Sequence, residues 1–220
     1  IYKRLGLNVG TLSQYFIPNK QLDKHQIARL PENILKKKIL IDENKNLIFK
    51  KINLNDIYKK FDFNKYKFRL PFKDFSYLKK RFFEHPIYSY DFYGMFDGSK
   101  LLSILIVRIN KYKESTCMRI IDFYGEESTL SNFIKNLLPI MHSTGHEYID
   151  LFNKGLDEKI ILEAGFIKVD NKKNDLIIPN YFEPFVQKNV CIRYFTDATN
   201  LKNLRIYKGD GDQDRPNFII

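Results

Sequence analysis

The segment from Thr129 to Gly145 constrains this chain more than any other. Leu130, Phe133, Ile134, Leu137, Leu138 and Met141 recur at helical spacing, with Thr129 in the N-cap position and Gly145 in the stop position. Strand-like runs flank it directly, Cys117 to Tyr124 before it and Tyr148 to Phe152 after it. A one-faced helix between two apolar strands has to bury its stripe on the sheet that those strands build. The chain is therefore expected to be an α/β (α+β) protein.

The rest of the pattern extends that sheet. Tyr90 to Phe96 and Leu101 to Lys111 predict a hairpin around Asp97-Gly98, a strong two-residue turn signal. Leu47 to Ile52 reads as a strand and Leu54 to Phe61 as a short helix. Asp74 to His85 reads as a helix with Phe75, Leu78 and Phe82 on one face, stopped by Pro86. Asp157 to Glu163 is a helix ended by Gly165, Phe166 to Val169 a strand, and Val190 to Phe195 the strand expected to close the sheet. The 220 residues are 44% apolar and 29% charged, which excludes general disorder. No apolar run approaches the eighteen or so residues of a membrane span. Cys117 and Cys191 lie in apolar segments without metal-ligand spacing and read as reduced core residues of a cytoplasmic protein.

The net charge of +11 is unevenly placed. Ile1 to Arg81 holds 20 Lys and Arg against 7 Asp and Glu, a net +13, and the remainder balances at −2. Phe61, Phe63, Tyr66 and Phe68 interleave with Lys65, Lys67 and Arg69, a composition that suits nucleic acid or another polyanion. No nucleic-acid motif accompanies it, and a solvated basic face or an anionic small substrate would use the same field.

Asp122 and Asp150 are carboxylates inside apolar strands, so each must be paired, with Arg119 or Arg108 as partner, or serve as a base. They are the leading catalytic candidates, with Arg119 beside them as a substrate-binding candidate. The string from Lys208 to Asn217 carries Asp210, Asp212 and Asp214 at the first three EF-hand spacings, but Arg215 takes the glycine position and the closing Glu has no place. A loose cation site, a solvated acidic tail and a loop folded back onto a substrate pocket remain the alternatives. Because Asp and Arg hold hydroxyl-rich sugars, Asp210, Asp212, Asp214 and Arg215 are substrate-binding candidates. The four histidines are too scattered for a metal set, and no metal is expected.

The order of elements resembles the GNAT (N-acetyltransferase) superfamily, and Ile160-Ile161-Leu162-Glu163-Ala164-Gly165-Phe166 looks like that family's late helix entering a strand through a Gly-Phe junction. The junction recurs in altered form as Ile1-Tyr2-Lys3-Arg4-Leu5-Gly6-Leu7. The resemblance implies a mixed, mostly antiparallel sheet flanked by helices, splayed between its fourth and fifth strands, with acyl-CoA in the splay. It also implies tandem domains, as in the Fem-type aminoacyl transferases. Residues 1–16 are then the tail of an upstream GNAT-like domain, 17–46 a linker, 47–198 the GNAT-like domain and 199–220 an acidic tail. The chain begins at Ile1 rather than Met, and a fragment is expected.

Asp122 and Asp150 would flank the splay. Tyr2, four residues before its glycine, stands where the family's thiolate-protonating tyrosine stands. The loop where the family has Q/R-x-x-G-x-G/A is Tyr124-Gly125-Glu126-Glu127-Ser128-Thr129, with two carboxylates where phosphates would sit. Acetyl-CoA or another acyl-CoA is thus expected on the upstream domain, with this chain on the acceptor side. The Gly211-Asp212-Gln213-Asp214-Arg215-Pro216 string resembles endings of GNAT-like proteins linked to bacterial surface-glycan synthesis, which points to an amino sugar as the small-molecule acceptor.

Overall fold

The computed structural model describes residues 2–36, 47–170 and 175–211. A mixed, mainly antiparallel sheet flanked by helices forms the body of the protein. In chain order the elements are β1 (Asn8–Thr11), β2 (Ser13–Pro18), α1 (Glu32–Lys36), β3 (Ile48–Lys51), α2 (Leu54–Lys60) and α3 (Phe75–Leu78). The centre follows with β4 (Asp91–Asp97), β5 (Lys100–Tyr112), β6 (Ser115–Gly125), α4 (Leu130–Thr144), β7 (Tyr148–Lys154), α5 (Glu158–Glu163) and β8 (Ile167–Lys168). Short pieces complete it: β9 (Tyr181–Phe182), β10 (Phe185–Val186), β11 (Arg193–Thr196) and β12 (Ile206–Tyr207).

The main sheet runs β3-β4-β5-β6-β7-β2-β8, with β12 added on β7. Alternation along the strands sorts side chains between two cores. Leu105, Val107, Met118, Ile120 and Phe123 meet the stripe of α4, while Ile104, Ile106, Ile121 and Tyr124 meet Ile57, Leu78 and Phe82 from the other side. Gly145 ends α4 in the left-handed region at φ 72°, with the His146 amide bonded back to the Met141 carbonyl. Thr129 does not cap the helix. A 3-10 turn over Glu127–Thr129 precedes it, and the Thr129 hydroxyl donates to the Glu126 carbonyl at 2.7 Å.

Three expected boundaries are corrected. Residues 2–18 are not the remnant of another domain: β2 sits between β7 and β8, and β1 pairs antiparallel with β11. The segment read as a linker is anchored in its described part, where the Glu147 carboxylate accepts the backbone amides of Gln26, Ile27 and Ala28 at 2.6 to 3.0 Å. Ile27 and Ala28 are buried there. The C-terminal stretch is folded in as far as Gly211, while β11, expected to close the main sheet, instead forms a two-stranded ribbon with β1. In each case the pairing partner lies far along the chain, where no local pattern can name it.

Candidate functional site

β6 and β7 pair in parallel only from Met118–Ile149 to Ile120–Leu151, and then part. A bulge drives the departure, since Val107 faces Ile120 while Ile106 faces Asp122, leaving Ile121 as the extra residue of β6. The chain itself fills the gap. β12 pairs antiparallel with β7 at Ile206–Lys154 and Tyr207–Asn153, and β2 already holds the other edge of β7 at Asn153, so β12 lies on the edge that β6 leaves. The 3-10 turn Lys208–Asp210 continues this strap between the two strands.

The strap brings Asp210 to a buried ion chain. Lys73 Nζ donates to Asp122 Oδ2 at 2.5 Å and to Asp210 Oδ2 at 2.9 Å, Lys73 and Asp122 being nearly inaccessible and Asp210 partly exposed. Asp122 Oδ1 accepts the Phe123 amide at 2.9 Å, and Asp210 accepts the Tyr207 amide at 2.8 Å and the Tyr77 hydroxyl at 3.4 Å. Burial disfavours the Lys73 charge, but the fields of Asp122 and then Asp210 outweigh it and raise the ammonium pKa. For Asp122 burial is the larger influence and lifts the carboxyl to about 6, against Lys73 and with the help of Asp210. Lys73 was not among the sequence candidates, because a lysine in a basic run reads as surface.

Asp122 and Asp150 are not brought together as an acid-base pair. Asp150 is held by Arg119 through Nε at 2.9 Å and Nη2 at 2.7 Å, and by the Gln14 amide at 3.3 Å. Arg119 spends its remaining donors on the carbonyls of Pro179 and Asn180 at 2.7 and 2.8 Å. Both residues are fully buried, which makes them a structural pair rather than a base and a substrate ligand. Tyr2 is half exposed and stacked on Phe195 with ring centroids 4.1 Å apart. Asp212, Asp214 and Arg215 lie outside the described residues.

The loop entering α4 carries its own counter-charges. Glu126 pairs with Lys65 at 2.8 Å. Glu127 Oε1 receives Arg205 Nε at 2.6 Å and Arg69 Nη2 at 3.0 Å. The expected helix-start carboxylates thus hold cations from two stretches far apart in the chain, Lys65 and Arg69 from one and Arg205 from the other. Of the interleaved rings, Phe61 and Tyr66 are buried in the core and Phe63 packs against it, whereas Phe68 is exposed.

A cavity of about 850 Å³ opens beside the strap, walled by Leu70, Pro71, Ile192, Tyr194, Leu204 and Ile206. Its polar lining includes Arg193, Asp197 and Asp210. Asp122 does not line it, so Asp210 is the end of the ion chain that a ligand would meet. Among the described residues no group of three or more His, Cys, Asp or Glu could hold a metal ion, and no helix is long and apolar enough to cross a membrane.

No family model matches the chain, and no curated protein matches it. Among solved structures it is similar to a functionally unknown conserved protein from Staphylococcus epidermidis ATCC 12228, at 13% identity and a TM-score of 0.46. That likeness covers 76% of this chain and 61% of the other, so the chain spans less than two thirds of that protein's length.

Proposed function

We propose that this chain is the acceptor-side domain of a GNAT-like acyltransferase that acts on the amino group of an amino sugar or related acceptor in surface-polysaccharide synthesis. One observation carries the reading: a parallel strand pair splays beside the start of α4, and the chain closes that splay with its own strap and places Asp210 at a cavity. Acyl-CoA does not fit here. Tyr207 and Gly209 fill the space between the strands, and Glu126 and Glu127 stand where the pyrophosphate would need donors. The donor therefore belongs to another part of the intact protein, in a cytoplasmic setting.

What remains for this domain is the amine. Asp210 is oriented by Lys73 and by the Tyr207 amide, so its carboxylate can hold an acceptor ammonium at the cavity wall, with Arg193 left for a phosphate and Asp197 for hydroxyl groups. Calorimetric titration with glucosamine and with N-acetylglucosamine tests this reading. Glucosamine is expected to bind and the acetylated sugar to bind at least about tenfold less tightly, since a charge-assisted hydrogen bond is worth roughly 1.5 kcal/mol or more. Equal affinities, or an Asp210→Asn variant that binds glucosamine unchanged, would overturn it.

A further inference from the structure

The exposed apolar residues of this protein are not scattered. Of the twelve large hydrophobic side chains exposed among the described residues, seven lie on segments that frame the cavity beside the strap. Phe195 is a lining residue and is 53% exposed. It stacks on Tyr2 and stands opposite Val9 in the β1–β11 ribbon, which brings Tyr2 and Val9 to its side of the mouth, with Leu5 on the short turn that carries Tyr2. Phe68 and Phe72 flank the lining pair Leu70-Pro71, and Leu70 is tied to the opposite wall through the Arg205 amide at 2.7 Å. Leu201, on the turn bonded to Leu204, completes the rim.

Exposed apolar side chains gathered around a single cavity mouth in this way mark a docking face. Charge identifies what docks. The residues interleaved with these side chains and themselves exposed are Lys3, Arg4, Lys67, Arg193 and Lys202, against Asp74 beside Phe72 and Asp197 at the mouth, with Asp210 deeper in the lining and tied to Lys73. Aromatic rings beside lysines and arginines match the headgroup layer of an anionic bilayer: the rings enter the boundary between headgroup and chain, and the cations meet lipid phosphates.

The geometry points to the cavity mouth as a peripheral membrane-docking face for an anionic lipid surface, held by Phe68, Phe72 and Phe195 and by the cations around them. The cavity would then open towards the lipid interface instead of bulk water. This inference rests on the rim alone and does not depend on the reaction proposed above.

Co-sedimentation of the chain with vesicles tests it, using phosphatidylglycerol mixed with phosphatidylcholine against phosphatidylcholine alone. Binding is expected to the anionic vesicles and to weaken with salt. Lys67→Glu with Lys202→Glu should lower it by roughly tenfold or more, at about 1 kcal/mol for each cation near the surface. Phe68→Ser with Phe72→Ser, both at exposed positions, should also release the protein while leaving its circular dichroism and unfolding midpoint unchanged. Equal binding to both vesicle types, absence of binding, or a tight homodimer in solution that Phe195→Ser dissociates would each overturn the assignment. Tyr58→Ser, at an exposed ring on α2 away from the mouth, is expected to bind like the parent chain, and a loss there equal to that of the rim variants would count against the rim.

Discussion

Gly209 lies against Ile121 with no space for a side chain: a Cβ built on it would stand 2.9 Å from Ile121 Cγ2 and 3.1 Å from the Ile121 carbonyl oxygen, with Phe82 at 3.0 Å. The contact is what lets the strap enter the splay, because the extra residue of the β6 bulge presses directly on it. Gly209→Val is therefore expected to unseat residues 206–211. Overpacking of this kind costs about 1–3 kcal/mol. Urea unfolding would report the loss of stability, and limited proteolysis a new cleavage near Arg205 or Lys208. An unchanged midpoint together with unchanged proteolysis would show that the strap tolerates a side chain.

The ion chain predicts an order of damage. Lys73→Met removes the shared cation and leaves Asp122 and Asp210 buried against each other, which should cost about 3–5 kcal/mol. Asp122→Asn keeps Lys73 bonded to Asp210 and preserves an oxygen acceptor, so the loss should be about 1–3 kcal/mol and the fold should persist. Denaturant titration of the two variants decides the matter. If Asp122→Asn proves the more damaging, the chain is organised around Asp122 and not around Lys73.

A pH dependence follows from Asp122. Its carboxyl titrates near 6 in the folded protein and near the ordinary value of about 3.9 when unfolded. Between those values the folded state holds a proton that the unfolded state has released. The contribution of this group is thus fully present below about pH 4 and is lost as pH rises through about 6. Unfolding midpoints for the parent chain and for Asp122→Asn between pH 4 and pH 7 should diverge in that sense, and parallel curves would refute the assignment.

Acetyl-CoA supplies the fourth prediction. Calorimetry is expected to show no tight, stoichiometric binding to this chain, because Glu127 already occupies Arg69 and Arg205 and the strap fills the space between β6 and β7. Glu127→Ala would leave two unpaired cations at the loop and is expected to gain measurable, salt-sensitive affinity for inorganic pyrophosphate. Tight acetyl-CoA binding to the unmodified chain would overturn the filled-splay reading.

Where short-range pattern decides structure, the sequence was readable. The expected hairpin of Tyr90 to Phe96 and Leu101 to Lys111 is β4 and β5 to within a residue, and the α4 stripe buries Phe133, Ile134, Leu137 and Met141 as its spacing requires. The site was legible only in part. Asp122 is a partnered carboxylate, as an acid in an apolar strand must be, but its partner is Lys73, 49 positions away, and nothing local distinguishes that lysine from its exposed neighbours Lys79 and Lys80. Asp210 was picked out for sugar binding from its string, while its role at the end of an ion chain depends on a contact across 137 positions. Arg69 read only as one cation of a basic run and Arg205 escaped notice for the same reason, since the loop that unites them lies between them in sequence.

The place of β2 in the sheet also sets a schedule for making the protein. Gln14 bonds to Asp150 across 136 positions, and Asn8 to Ala198 across 190. β2 leaves the ribosome more than a hundred residues ahead of the strands that flank it in the sheet. At typical synthesis rates Tyr15, Phe16 and Ile17, all buried in the finished sheet, wait on the order of ten seconds for β7 and β8. For that interval the nascent chain carries an apolar segment with nowhere to go, and holding it apart from other chains becomes the task of whatever meets it at the tunnel exit.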